Sequence, residues 1–301
     1  MVSAACVDYT AVMRQDFEAR FSPNLALVLL WCTISAPAAA ADISPWDNDI
    51  RSAVRLIGAG AVREPRGAAA LRAGVEIKMQ PGWKTYWRYP GDSGVPPAFD
   101  FEASDNVKTV TVLWPAPVRF ADGSGNSIGY KEPVIFPLRV VPRDASKPVT
   151  LRLKIDYAVC ETLCVPAKGK AELALSRAAG SQEAALDAAE ARVPKPHPMG
   201  EGTSLKLLKA WRDTASAKPR VLVEVAAPAG AEIDLFAEGP TPDWALPLPE
   251  PVPGAPAGAK RFAFELDGLP SGATAKGAAI KLTATARGAI QEAVEAVFRL
   301  D

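Results

Sequence analysis

The chain has 301 residues, with 34 Lys and Arg balanced by 34 Asp and Glu, and a single histidine. Zero net charge excludes the electrostatic grip on phosphate that nucleic-acid and anionic-membrane binders depend on. The length is generous for one core and suits two, and 28 prolines argue against long helices.

Residues 25–36 (LALVLLWCTISA) form an apolar run of 12, too short to cross a bilayer core of roughly 30 Å. Arg14 and Arg20 precede it and four alanines at 38–41 follow it. A basic start, a short apolar stretch and an A-x-A-like site make a secretory leader, with cleavage expected near residues 40–42. Met13 is an alternative start, because residues 1–12 add nothing a leader needs. The leader takes away Arg14 and Arg20 against Asp8, Asp16 and Glu18, so residues 42–301 carry one net positive charge. No later apolar run approaches 18 residues, and no membrane span is expected.

Beyond the leader, residues 71–79 (LRAGVEIKM), 107–113 (VKTVTVL), 133–141 (PVIFPLRVV) and 149–159 (VTLRLKIDYAV) alternate or run apolar between turn residues, as strands do. Strands at this spacing without helical periodicity predict a sandwich or barrel. Residues 181–193 (SQEAALDAAEARV) differ: they are alanine-rich, Ser181 can cap them, Glu183 falls in the first turn and Pro194 stops them. Residues 194–202 (PKPHPMGEG) then read as a stiff, extended linker. Strands resume at 204–211, 220–226, 232–238, 261–267, 279–286 and 293–300, around a proline-rich loop at 242–256. The expected class is all-β: a sandwich over 42–178, a short helix and linker over 179–202, and a second, smaller sandwich over 203–301 with a docking or spacing role.

Of four cysteines, Cys6 and Cys32 leave with the leader. Cys160 and Cys164 remain, and in an oxidising compartment a nearby pair becomes a disulfide. Cys160 ends the alternating strand, Cys164 starts the return through Val165 and Pro166, and Glu161, Thr162 and Leu163 lie between. Three readings of this spacing stay open. As a staple, a five-residue ring gains only about 2 kcal/mol by chain entropy. As a redox pair, a short local bridge is the kind more readily reduced and re-formed. As a metal site, zinc wants four ligands and only His197 is at hand, whereas Cu(I) accepts two thiolates, with Met79 or His197 as a third ligand. The C-x-x-x-C-x-P spacing is similar to that of the Sco copper chaperones. There it opens a helix in a thioredoxin-like fold, whereas residues 165–175 here read as a turn and a strand. Asp156 and Glu161 are expected to disfavour the thiolate.

Four segments in order, 82–101 (GWKTYWRYPGDSGVPPAFDF), 113–120 (LWPAPVRF), 129–140 (GYKEPVIFPLRV) and 156–166 (DYAVCETLCVP), resemble the N-terminal periplasmic domain of DsbD-type protein-disulfide reductases, closest to the ScsB-like branch. The resemblance covers about residues 46–178. It implies an immunoglobulin-like sandwich in the periplasm whose pair, here Cys160 and Cys164, relays electrons without a cofactor or metal. It further implies thioredoxin-fold partners, of the disulfide isomerase or cytochrome c maturation type. Residues 119–130 occupy the place of the family's cap loop, with Phe120 and Tyr130 as shielding aromatics, whereas Trp83, Tyr86 and Trp87 read as packing residues. Full-length members continue into a membrane domain and a thioredoxin domain. Neither is found up to Asp301, so the expectation is either a separate membrane electron donor or a stand-alone variant with another role. Copper tolerance and a non-redox interaction domain are the alternatives.

Overall fold

Alternation of apolar and polar residues sets the first eleven strands: β1 (Asp47–Asn48), β2 (Ser52–Arg63), β3 (Ala69–Met79), β4 (Lys84–Gly91), β5 (Ala98–Asp100), β6 (Val107–Val112), β7 (Val118–Asp122), β8 (Gly125–Tyr130), β9 (Val134–Pro142), β10 (Val149–Cys160) and β11 (Cys164–Leu175). The structure, a computed structural model, describes residues 42–301 apart from 64–66, 68, 123–124 and 215–217. The leader and the tip of the 119–130 segment thus lie outside the described residues. Two sheets form, one in the order β1-β2-β3-β9-β6 and one in the order β11-β10-β4-β8-β7, with β5 also on β10. On β10, Val149, Leu151, Leu153, Ile155 and Tyr157 point inward at every second position. They meet Val54, Leu56, Val75, Phe136 and Leu138 from the facing sheet, with Trp87 between the layers. At the end of β10 the alternation stops: Ala158, Val159 and Cys160 are all buried. The outer face is therefore covered there, and that is where the sulfurs lie.

The expected helix is α1 (Glu183–Ala191). Leu186 buries it against Ile57 and Ala59, and Arg72 reaches three of its carboxylates, Glu183 at 2.5 Å, Asp187, and Glu190 at 2.9 Å. Ser181 does not cap it. Gln182 holds the cap position without a side-chain capping bond, and the Ser181 hydroxyl donates to Asp42 instead. The segment expected as a linker is extended but hydrogen-bonded: β12 (Lys195–Pro196) runs parallel to the last strand.

The later strands are β13 (Lys206–Asp213), β14 (Arg220–Ala226), β15 (Ala231–Glu238), β16 (Glu250–Val252), β17 (Ala259–Glu265), β18 (Ala279–Gly288) and β19 (Glu292–Arg299). They make two four-stranded sheets, β12-β19-β18-β15 and β13-β14-β17-β16, around a second core of Val221, Val223, Leu235, Phe262, Ile280 and Leu282 among others. The fold is all-β sandwich. The proline-rich stretch 242–256 is more than a surface loop. Trp244, Leu246 and Leu248 are buried at alternate positions, and Leu248, together with Phe236, packs into the first core. Phe236 lies 5.8 Å, centroid to centroid, from Trp87. Burying side chains of this size is worth about 1.5–3 kcal/mol each, so the later strands share in stabilising the earlier sandwich.

Candidate redox site

Register alone assembles the site. Cys160 stands directly opposite Cys164 across the β10–β11 hairpin, and opposite Lys84 on its other side. Residues directly opposite share a face, and so do residues two apart on one strand. Tyr86 therefore joins the sulfurs. Tyr86 is opposite Gly129, Gly129 is opposite Val118, and Phe120 is two further on. The resulting cluster of Tyr86, Phe120, Ala158 and Cys160, with Val118 at its side, sits on the outer face of its sheet. Gly129 makes room for it, since a Cβ there would stand 2.0 Å from the Thr85 carbonyl oxygen.

Cys160 and Cys164 are joined as a disulfide with Cα atoms 4.1 Å apart. Its two halves differ. Cys160 is 2% exposed, whereas Cys164 is open to solvent at the start of β11. The Tyr86 hydroxyl donates to both sulfurs, at 2.6 Å to Cys160 Sγ and 3.1 Å to Cys164 Sγ. Tyr86 is fully buried, and its ring lies on Gly94, where a Cβ would come within 2.3 Å of Cε1 and where φ is +118°. Glycine alone accepts both conditions. Phe120, 4% exposed, lies 6.5 Å from the Tyr86 ring. The ammonium groups of Lys84 and Lys131 stand over it at 5.1 and 5.8 Å. One sulfur of the disulfide is thus accessible, and the hydroxyl lies nearer the buried one.

Residues 63–176 match the family described as thiol:disulfide interchange protein DsbD, N-terminal. This segment is a DsbD N-terminal domain. At the family level its chemistry is thiol–disulfide interchange. Among solved structures, the chain is similar to the N-terminal periplasmic domain of ScsB from Proteus mirabilis, with a TM-score of 0.65 at 19% identity, over 86% of this chain and 98% of that one. At that identity the likeness concerns the fold. No curated protein matches the chain.

Within the DsbD-type domain, Cys160 is bonded to Cys164 and Phe120 packs beside Cys160, the placement that the family resemblance implies. Tyr130, expected beside Phe120 as a second shield, lies elsewhere. It is buried in the main core, edge-on to Phe136, with its hydroxyl donating to the Pro115 carbonyl. Burial pushes that phenol well up from its ordinary value. Met79 is also in the main core, and His197 lies beside β19, so neither joins the sulfur cluster. Among the described residues no group of three His, Cys, Asp or Glu is arranged to hold a metal ion. Asp156 is four residues from Cys160 on an extended strand, about 13 Å away, and faces Lys168 at 2.9 Å. Its charge is directed to that lysine. Glu161 turns its carboxylate toward Gly82. Tyr86, which reads as a packing residue in the sequence, is the side chain at the disulfide that local pattern misses. Trp87 next to it marks the main core, and strict alternation then puts Tyr86 on the outer face. Only the pairing of β4 with β10 reveals that a sulfur waits there.

Proposed function

We propose that this chain is an exported thiol–disulfide interchange protein that relays electron pairs through Cys160 and Cys164 to thioredoxin-fold partners in the periplasm. The observation that carries the reading is the asymmetry of the pair, one sulfur open and one buried beneath the Tyr86 hydroxyl. In the reduced form, the Cys164 thiolate attacks a sulfur of the partner's disulfide, and the partner's other sulfur departs as a thiol after taking a proton. Cys160 then attacks Cys164 Sγ in the mixed disulfide and releases the partner's second thiol. Two electrons and two protons pass to the partner, and the Cys160–Cys164 bond forms. Recharging runs the same steps backward, with a donor thiolate attacking Cys164 and Tyr86 donating to the departing Cys160 thiolate. Leu163, 73% exposed at the hairpin tip next to Cys164, offers a docked protein an apolar contact. Phe120 keeps small oxidants from Cys160, as access governs thiol reactivity.

The test is trapping. Cys160→Ser, which leaves the accessible sulfur, is expected to capture exported thioredoxin-fold proteins as mixed disulfides, and Cys164→Ser to capture none. If neither variant captures a protein and the oxidised pair resists a strong dithiol in the native state, the relay reading is wrong.

A further inference from the structure

We propose that the later half of the chain holds the guard over the disulfide closed, through a clamp on Arg119, and is thus a positioning module for the redox site. The proposal rests on the relay reading above. Phe120 is carried by β7, the outermost strand of its sheet, which among the described residues pairs with β8 alone. An edge strand with one ladder is the part of a sheet that opens at least cost, so something else must fix it. Arg119 precedes Phe120 and by alternation projects to the other face. There its guanidinium donates to Asp234 Oδ1 at 2.9 Å, to Glu250 Oε1 at 2.5 Å, to the Pro249 carbonyl at 2.7 Å and to the Leu235 carbonyl at 3.4 Å. All four acceptors belong to the later half. Arg119 and Asp234 are largely buried, their side chains 15% and 16% exposed, so water and salt screen the pair little.

The second strand of the site is tied in the same way. Arg88, two residues after Tyr86, forks onto Glu238 with two bonds of 2.8 Å and also reaches Glu295. Tyr89 donates to the Leu246 carbonyl at 2.5 Å. Both aromatic groups that touch the disulfide cluster are therefore within two residues of an arginine anchored in the later half. The clamp on β7 bears on access to Cys160, because swinging Phe120 off that sulfur means pulling Arg119 from its four acceptors. The proline-rich stretch 242–256 gains a purpose, since it supplies Glu250 and two backbone carbonyls to these anchors.

Because Cys164 is already open, the experiment measures the rate at which glutathione attacks the guarded Cys160 in the full chain, read by fragment-ion localisation of the glutathione adduct to Cys160 after an acid quench, alongside the melting temperature. Phe120→Ala removes the guard itself and sets the open limit. Arg119→Ala is expected to raise the rate at least about tenfold, the scale of one lost charge-assisted hydrogen bond, and Arg119→Lys to restore part of the protection. Asp234→Asn keeps size and shape, folds even if Arg119→Ala does not, and is expected to raise the rate severalfold. Arg152→Ala is the control and is expected to match the unmodified chain. Its ion pairs with Asp105 and Glu172 lie eight residues up β10 from Cys160, about 27 Å away. The clamp is overturned if Asp234→Asn is folded and reduced at the unmodified rate, whether or not Phe120→Ala is fast. It is equally overturned if Arg152→Ala accelerates as much as Asp234→Asn. The relay reading stands or falls separately, on the trapping assay, whose outcome does not depend on how fast glutathione enters.

Discussion

Replacing Tyr86 by phenylalanine removes one oxygen from the site and leaves the ring against Gly94 and Phe120. The lost hydroxyl donates at 2.6 Å to Cys160 Sγ, the sulfur that leaves when Cys164 is attacked. A hydrogen bond to a charged group is worth about 1.5–3 kcal/mol, and about 1.4 kcal/mol is a factor of ten. The departing thiolate is therefore disfavoured about 10- to 100-fold. With roughly half of that charge developed as the S–S bond breaks, reduction slows about three- to tenfold. The assay is a time course of dithiothreitol reduction at neutral pH, quenched in acid and read by mass tagging, with a thermal melt on the same sample. The direction is informative, because loosening of the cluster would speed reduction, as expected for Arg119→Ala. A Tyr86→Phe protein that melts normally and is reduced as fast as the unmodified chain refutes the role assigned to the hydroxyl.

Two further outcomes are expected. Gly94→Ala drives a methyl group to 2.3 Å from the Tyr86 ring at a positive φ. It should lower stability by about 2–4 kcal/mol, read by denaturant unfolding, and should raise small-thiol reactivity as the ring is displaced. Glu190→Gln tests the ionic seam under α1. Burial opposes the Glu190 charge, but hydrogen bonds from Arg139 and Arg72 outweigh it and hold the carboxyl below its ordinary value. A depressed folded-state value means that the stabilisation is present above the unfolded value near 4.5 and is lost as pH falls through the folded one. The variant should therefore melt a few degrees lower than the unmodified chain at pH 7, for a loss of about 1–2 kcal/mol. The gap should shrink as pH drops below about 4.5, and a gap constant from pH 7 to pH 3 counts against the assignment.

How much is legible in the sequence depends on whether a residue's partner lies nearby along the chain. The strand from 149 to 160 is legible because its alternation is local, and the cysteines because only two lie beyond the expected leader and three residues part them. Strands β4, β7 and β8 are harder. They carry aromatic and glycine residues whose meaning lies in the opposing strand, as Gly129 faces Tyr86. Tyr130 and Phe120 look alike in sequence, yet the register of β7 on β8 sends one inward and the other out. Tyr86 is unreadable for the same reason, its sulfur partner being 74 residues away. Ser181 fits a capping pattern that Asp42, from the far end of the sandwich, draws it out of. The Arg119 and Arg88 anchors are longer-range still, and no local pattern announces them.

The placement of the two sulfurs at the last rung of a hairpin separates information from architecture. Breaking their bond frees a ring of only five residues, worth about 2 kcal/mol of chain entropy, while the ladder of β10 on β11, paired from Val149 with Leu175 down to Val159 with Val165, remains. On the relay reading, the protein is written and erased, charge after charge, with little difference in how firmly the two versions hold their shape. By linkage, a bond that does so little for folding gains equally little protection from the fold against its own reduction.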